Sequence, residues 1–141
     1  MARLRTGGVL DNFAYVGAVS ALGLLVYYIT LLRAGIARGR FKVEPPSHSG
    51  PEAYERYVRA HQNTLEHLAL FLPGMWLFAV AVEPRWAAAL GLVWVAARLW
   101  YAFGYTVAAG RRIPGLLLSM PPIYVFVLGS LVGFVLKLVR A

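Results

Sequence analysis

Four stretches of bilayer length, nearly free of charge, constrain this chain more than any other feature. No charged residue falls between Asp11 and Arg33 or between Arg112 and Lys137. Arg98 alone interrupts the interval from Arg85 to Arg111, and Glu66 alone the run Leu65–Val82. A hydrocarbon core of about 30 Å needs roughly 20 residues of helix to cross it. With no water in that core to satisfy backbone groups, each stretch must be helical, and the alternating pattern of a membrane barrel is missing. The expectation is an all-α integral membrane four-helix bundle. It forms one domain over residues 1–141, with spans at about 12–32, 55–82, 86–109 and 113–137. The first span resembles a secretory signal, since Arg3 and Arg5 precede it. Its 21 uncharged residues, 12–32, exceed the usual apolar run of 7–15, so it reads as uncleaved.

Composition excludes several function classes. The chain is 60% hydrophobic and 14% charged, against about 25% charged in an ordinary soluble domain. The formal net charge of +8 first points to nucleic acid, but a nucleic-acid binder has no use for bilayer-length apolar runs, and membrane lipid is the expected surrounding. Cysteine is absent, which removes disulfides, zinc-thiolate sites, haem attachment and a cysteine nucleophile. No phosphate loop, Ser/His/Asp arrangement or carboxylate dyad is present, nor any internal repeat.

The connectors set the orientation. Segment 33–53 is the one long connector, basic at first (Arg33, Arg38, Arg40, Lys42) and then turn-rich through Pro45-Pro46-Ser47-His48-Ser49-Gly50-Pro51. Ser49 or Gly50 with Pro51 in the first turn reads as a helix start. The side holding the first and third connectors carries Arg33, Arg38, Arg40, Lys42, Arg56, Arg59, Arg111 and Arg112, or 8 cations. The opposite side carries Arg3, Arg5, Arg85, Lys137 and Arg140, or 5. The positive-inside rule places the long connector in the cytoplasm and both termini across the membrane.

Ionisable groups at membrane depth are functional-site candidates by default, and here they fall at helical spacing. Arg59, Gln62, Asn63 and Glu66 stand at i, i+3, i+4 and i+7 on the second helix, sharing one face. Arg98, Tyr101 and Tyr105 stand at i, i+3 and i+7 on the third, with Trp94 one turn earlier. Facing each other near the cytoplasmic boundary, the two stripes would enclose a pocket with both charge signs. A bland alternative accounts for single residues: Glu66 with Arg98 as a register-fixing ion pair, Asn63 as an interhelical hydrogen bond. A register device needs one or two polar groups, and each buried charge costs several kcal/mol of desolvation. The full set better suits a small zwitterionic ligand.

Other features have simpler readings. Arg38, Arg111 and Arg112 taken singly are positive-inside anchors. His61 and His67 lie six apart without a third ligand, so no metal is expected. Tyr15, Tyr27, Tyr28, Trp76 and Trp86 form an aromatic belt near span ends. Gly129-xxx-Gly133 would permit close helix contact and oligomerisation, and Pro121-Pro122 would kink the last helix.

The run Glu55-Arg56-Tyr57-Val58-Arg59-Ala60-His61-Gln62-Asn63-Thr64-Leu65-Glu66 resembles the signature of the MAPEG family, the membrane-associated proteins in eicosanoid and glutathione metabolism. Phe41-Lys42-Val43-Glu44-Pro45-Pro46 precedes it as in one branch of that family, and Ala97-Arg98-Leu99-Trp100-Tyr101-Ala102-Phe103-Gly104-Tyr105 is similar to its third-helix motif. The resemblance implies a homotrimer binding glutathione, as co-substrate, between neighbouring subunits near the cytosolic face. Arg38, Arg59, Asn63, Glu66, Tyr101 and Tyr105 would contact the tripeptide, and Gln62, on the same helical face as Arg59, Asn63 and Glu66, is expected to bind it with them. The family's thiolate-stabilising arginine matches Arg112, with Arg111 adjacent. The leukotriene-forming branch carries a second catalytic arginine where this chain has Gly39, and a tyrosine where it has His67. The prostaglandin-forming branch has arginine in place of Gln62. The sequence therefore commits to neither specialist.

Chemistry agrees with that expectation. Two carboxylates suit Arg38 and Arg59, the ammonium suits Glu66, and a guanidinium beside the sulfur favours the nucleophilic thiolate. The expected function is a membrane glutathione transferase, also able to act as a peroxidase, on lipophilic electrophiles or lipid hydroperoxides. The alternative is a non-catalytic lipid-binding scaffold of the same family. The chain lacks the paired discontinuous-helix signals of a transporter.

Overall fold

The computed structural model describes residues 7–141, with side chains described at Asp11 and from Phe13 onward. Arg3 and Arg5, part of the orientation count, lie outside the described residues. Four helices follow one another: α1 (Gly7–Arg40), α2 (Glu52–Ala81), α3 (Pro84–Val107) and α4 (Ile113–Val139), with a single 3-10 turn, Ala109–Arg112, joining α3 to α4. All four are long and apolar enough to cross a membrane, so the protein is an all-helical, multi-pass integral membrane protein. α2 and α3 each touch all three other helices, while α1 and α4 flank them.

The helices outrun the hydrophobic stretches that define them. α1 has 34 residues, about 51 Å at 1.5 Å per residue, well beyond a 30 Å hydrocarbon core. Arg33–Arg40, expected in a connector, are the overhanging turns of α1, and the true connector shrinks to residues 41–51. The onset of charge therefore does not mark the helix boundary. α1 ends in a Schellman motif: Val43 N–H bonds Arg38 C=O at 3.1 Å and Lys42 N–H bonds Gly39 C=O at 3.2 Å. Lys42 takes the left-handed conformation at φ 53° that such a cap requires.

The next helix starts are equally local. Glu55 reaches back to accept from Gly50 N–H at 3.1 Å, and Glu52 with Glu55 places negative charge in the first turn of α2, where the helix dipole favours it. Glu83 caps α3 by accepting from Trp86 N–H at 2.9 Å, with Pro84 in the first turn.

The core centres on Phe71 of α2. Its ring stacks on Trp94 of α3 with centroids 3.8 Å apart and meets Phe126 of α4 at 6.0 Å. Val16, Val19 and Val26 of α1 close the cluster. Phe71→Ala is expected to cost about 3–5 kcal/mol, because Phe71 is fully buried and touches three helices. Thermal unfolding in detergent measures this. An unchanged midpoint would contradict the packing. Outward, Leu24, Leu25, Leu117, Leu128 and Leu131 remain exposed, the surface that lipid covers.

Gly129 and Gly133 do permit close helix contact, and the contact seen is within the chain. A Cβ at Gly129 would lie 2.7 Å from the Phe78 ring, and one at Gly133 3.0 Å from Ala81 Cβ. Both glycines let α4 approach α2 of the same chain. Trp76 and Tyr27 are likewise more than belt residues. Trp76 Nε1–H donates to Ser20 Oγ at 3.0 Å, and Tyr27 stacks on His61 with centroids 5.1 Å apart. α4 continues through Pro121 and Pro122.

Candidate functional site

Up-and-down topology brings the end of α1, the start of α2, the end of α3 and the start of α4 to the same end of the bundle. The polar residues gather there, in two groups.

The first group lies between α1 and α2. Arg38 Nη1–H donates to Ser47 C=O at 2.8 Å and to Val43 C=O at 3.4 Å, and its Cζ sits 5.7 Å from the Tyr54 ring centre. The guanidinium thus holds the connector against both helices. Arg38, His48, Tyr54, His61 and Gln62 line a hollow of about 240 Å³. A neighbouring hollow of about 220 Å³ is lined by His48, Glu55, Arg59 and Gln62. Arg59 is exposed and makes no ion pair among the described residues.

The second group lies between α2, α3 and the 3-10 turn. Asn63 Nδ2–H donates to Tyr101 Oη at 2.6 Å. The Tyr101 and Tyr105 rings meet at 5.7 Å and 54°. Arg112 places its Cζ 4.6 Å from the Tyr105 ring centre, and Arg98 lies 4.0 Å from that of Tyr101. Two guanidiniums therefore attend a pair of phenols. Arg111 is exposed, and Arg112 is half-buried. The turn reaches this position because Gly104 has no side chain: a Cβ there would sit 2.5 Å from Arg111 C=O.

One hollow takes Gln62 and the other Arg59 and Gln62, and neither takes Asn63. The reason is helical geometry. Gln62 and Asn63 are successive residues, 100° apart around α2, and occupy opposite edges of one stripe. α1 packs against one edge and α3 against the other. Glu66 is exposed, and no ion pair joins it to Arg98 among the described residues. The register-fixing pair therefore does not form.

Several participants had no signal in the sequence. Thr64 lies off the stripe, yet its Oγ accepts from Arg98 Nη2–H at 3.1 Å. His48 and Tyr54 join the α1 side, where only turn and helix-start character was legible. Arg98 is fully buried, and among the described residues its Nε and Nη1 have no hydrogen-bond partner; neither do Nδ1 of His61 and His67 nor Nε1 of Trp94. A buried, under-paired cation opposes folding. Arg98→Met, which keeps the volume and removes the charge, is expected to hold or raise the thermal midpoint in detergent. Arg98→Ala, which opens a cavity, lowers it. A fall of several degrees for the Met variant would show that the guanidinium contributes net stability.

Comparison with known proteins adds an independent line. The MAPEG family model matches residues 16–132. The chain is 41% identical over 120 residues to an uncharacterized protein of Synechocystis, covering 85% of this chain and 88% of that one. It is 38% identical over 105 residues to mouse microsomal glutathione S-transferase 2 (74% and 71% covered). It is 35% identical over 135 residues to bovine leukotriene C4 synthase (93% and 90% covered).

Proposed function

The chain belongs to the MAPEG family, and on that premise we propose that it is a membrane-bound glutathione transferase acting on lipophilic electrophiles, with lipid hydroperoxides as a second substrate class. The observation that carries this reading is the continuous array Asn63–Tyr101–Tyr105–Arg112. It sets a guanidinium beside two phenols at the end of the bundle where the chain leaves the apolar core. Microsomal glutathione S-transferase 2 and leukotriene C4 synthase among the relatives support the same chemistry.

In this reading Arg112 lowers the cost of ionising the glutathione thiol, and Tyr105 or Tyr101 donates a hydrogen bond to the sulfur. The thiolate attacks an electrophilic carbon, a carbon–sulfur bond forms, and the leaving group departs with its electron pair. With a hydroperoxide the sulfur attacks oxygen, and a second glutathione completes reduction to the alcohol and water with release of the disulfide. Arg59 and Arg38 pair with the carboxylates, Glu66 with the ammonium, and Gln62 and Asn63 with the peptide groups. The chain's own nucleophile inventory fits: it contains no cysteine, so the reactive sulfur comes from the substrate. No metal enters the scheme.

The proposed assembly is a homotrimer, which the separation of the two groups supports. Arg38, Arg59 and Gln62 border the α1 side of α2, whereas Asn63, Tyr101, Tyr105 and Arg112 border the α3 side. One tripeptide reaches both sets when the α1 side of one subunit lies against the α3 side of its neighbour. The site then faces the cytoplasm, with both termini across the membrane and the apolar substrate arriving from the bilayer.

Conjugation of glutathione to a chlorinated nitrobenzene by the detergent-purified protein tests the reading, with calorimetric titration of glutathione beside it. Absence of both activity and binding would sink it. Tight fatty-acid binding without glutathione binding would favour the non-catalytic scaffold. Gly39, where the leukotriene-forming branch has arginine, argues for a general transferase. A Cβ built there meets no other part of the described chain within 4 Å, and Gly39→Arg tests gain of that activity.

A further inference from the structure

The far end of the bundle holds a second feature, unrelated to the glutathione half-sites. Between the ends of α2 and α4 runs a groove of about 620 Å³, walled by Phe78, Val82, Leu128 and Val132 and closed at its outer end by Lys137 and Arg140. Its floor is the seam where Gly129 and Gly133 bring α4 onto Phe78 and Ala81.

Charge at the mouth of this groove is one-sided. Lys137, in the last turn of α4, and Arg140, its C-cap, are three residues apart and border the same groove. Lys137 Nζ donates to Val80 C=O at 2.9 Å, which uses one of its three N–H donors and fixes the ammonium over the end of α2. Arg140 is exposed, and neither cation forms an ion pair among the described residues. Glu83, in the adjacent α2–α3 turn, is engaged in capping α3. A cationic rim above an apolar trough matches one chemistry closely: a phosphate head with a hydrocarbon tail. Lysine and arginine form charge-assisted hydrogen bonds to phosphate oxygens, and here the apolar track continues directly beneath them. Lys137 as a mere interfacial anchor would extend into the headgroup layer, whereas this one is turned back onto the end of α2.

We propose that this groove binds one anionic phospholipid, its phosphate held by Lys137 and Arg140 and an acyl chain laid along Val132, Leu128 and Phe78. Such a ligand, binding the folded protein and not the unfolded chain, stabilises the bundle by mass action at the end opposite the chemistry.

Native mass spectrometry of the full chain in neutral detergent tests this with phosphatidylglycerol and phosphatidylcholine of identical acyl chains. Phosphatidylglycerol is expected to be retained roughly tenfold or more over phosphatidylcholine. The double variant Lys137→Gln, Arg140→Gln should retain the two lipids equally, with glutathione binding unchanged as the check on folding. Val132→Trp, which fills the trough, should reduce adducts of both lipids. Equal retention by the wild type, or a phosphatidylglycerol preference surviving in the double variant, would overturn the proposal. So would a change of oligomeric mass in that variant without loss of lipid, which would make the groove a contact between copies. Should the double variant fail to fold, undiminished phosphatidylglycerol adducts on Val132→Trp would overturn it equally.

Discussion

Arg112→Ala is expected to lower glutathione conjugation at pH 7 by about 25-fold from loss of thiol ionisation alone. A thiol with an unperturbed pKa near 8.5 is roughly 3% ionised at pH 7, and lowering that pKa by about two units raises the fraction to about three quarters. In the proposed mechanism the half-buried Arg112, 4.6 Å from the Tyr105 ring centre, is the cation that supplies that shift. The direction is fixed by sign: a nearby positive charge stabilises the thiolate and depresses the pKa. Its removal therefore moves the rising limb of the pH–rate profile toward the unperturbed value. At pH 9.5 variant and wild type converge, because both thiols are then ionised. The profile separates this role from simple substrate holding, which would change KM at every pH. Arg111→Ala is the internal comparison. Its side chain is exposed, so its effect should be much the smaller. The reverse order would transfer the thiolate role to Arg111.

The contrast between those neighbours shows where sequence reasoning reaches and where it stops. Two adjacent arginines after an apolar stretch mark a membrane boundary, but only the fold of the 3-10 turn decides which one returns over the tyrosines. The four spans were legible because charge is so costly in hydrocarbon that it punctuates the sequence. Helix ends were not, since α1 and α2 continue past the membrane and are stopped by a left-handed Lys42 and a helix start at Pro51, not by polarity. The stripe on α2 was legible as a face. Its division was not, because which helix covers which edge depends on packing that spacing does not encode. Arg98 shows the same limit from the other side. Its position suggested a partner in Glu66, whereas Thr64 and the Tyr101 ring take that place.

Gly115→Ala is expected to be the most damaging single methyl in the molecule. Gly115 lies buried in the first turn of α4, where a Cβ would run into the backbone nitrogen of Tyr101 and stand 2.7 Å from both Ala97 C=O and Tyr101 Cα. Side chains can rotate away from an intruding methyl; helix backbone cannot. α3 and α4 must therefore separate, and the Ser119 and Phe126 packing further along α4, both fully buried, loosens with them. Overpacking against mobile side chains costs about 1–3 kcal/mol, so a clash with rigid backbone should reach about 3 kcal/mol or more. The contact also falls on the peptide unit of Tyr101, whose hydroxyl bonds Asn63. One substitution is thus expected to lower the thermal midpoint in detergent and to weaken glutathione binding in calorimetric titration. Gly110→Ala, two residues before the end of the 3-10 turn and open on all sides, should stay within about 0.5 kcal/mol of wild type. If Gly115→Ala melts with the wild type, α3 and α4 do not approach as closely as their backbones place them, and the positioning of Arg112 over Tyr105 loses its structural basis.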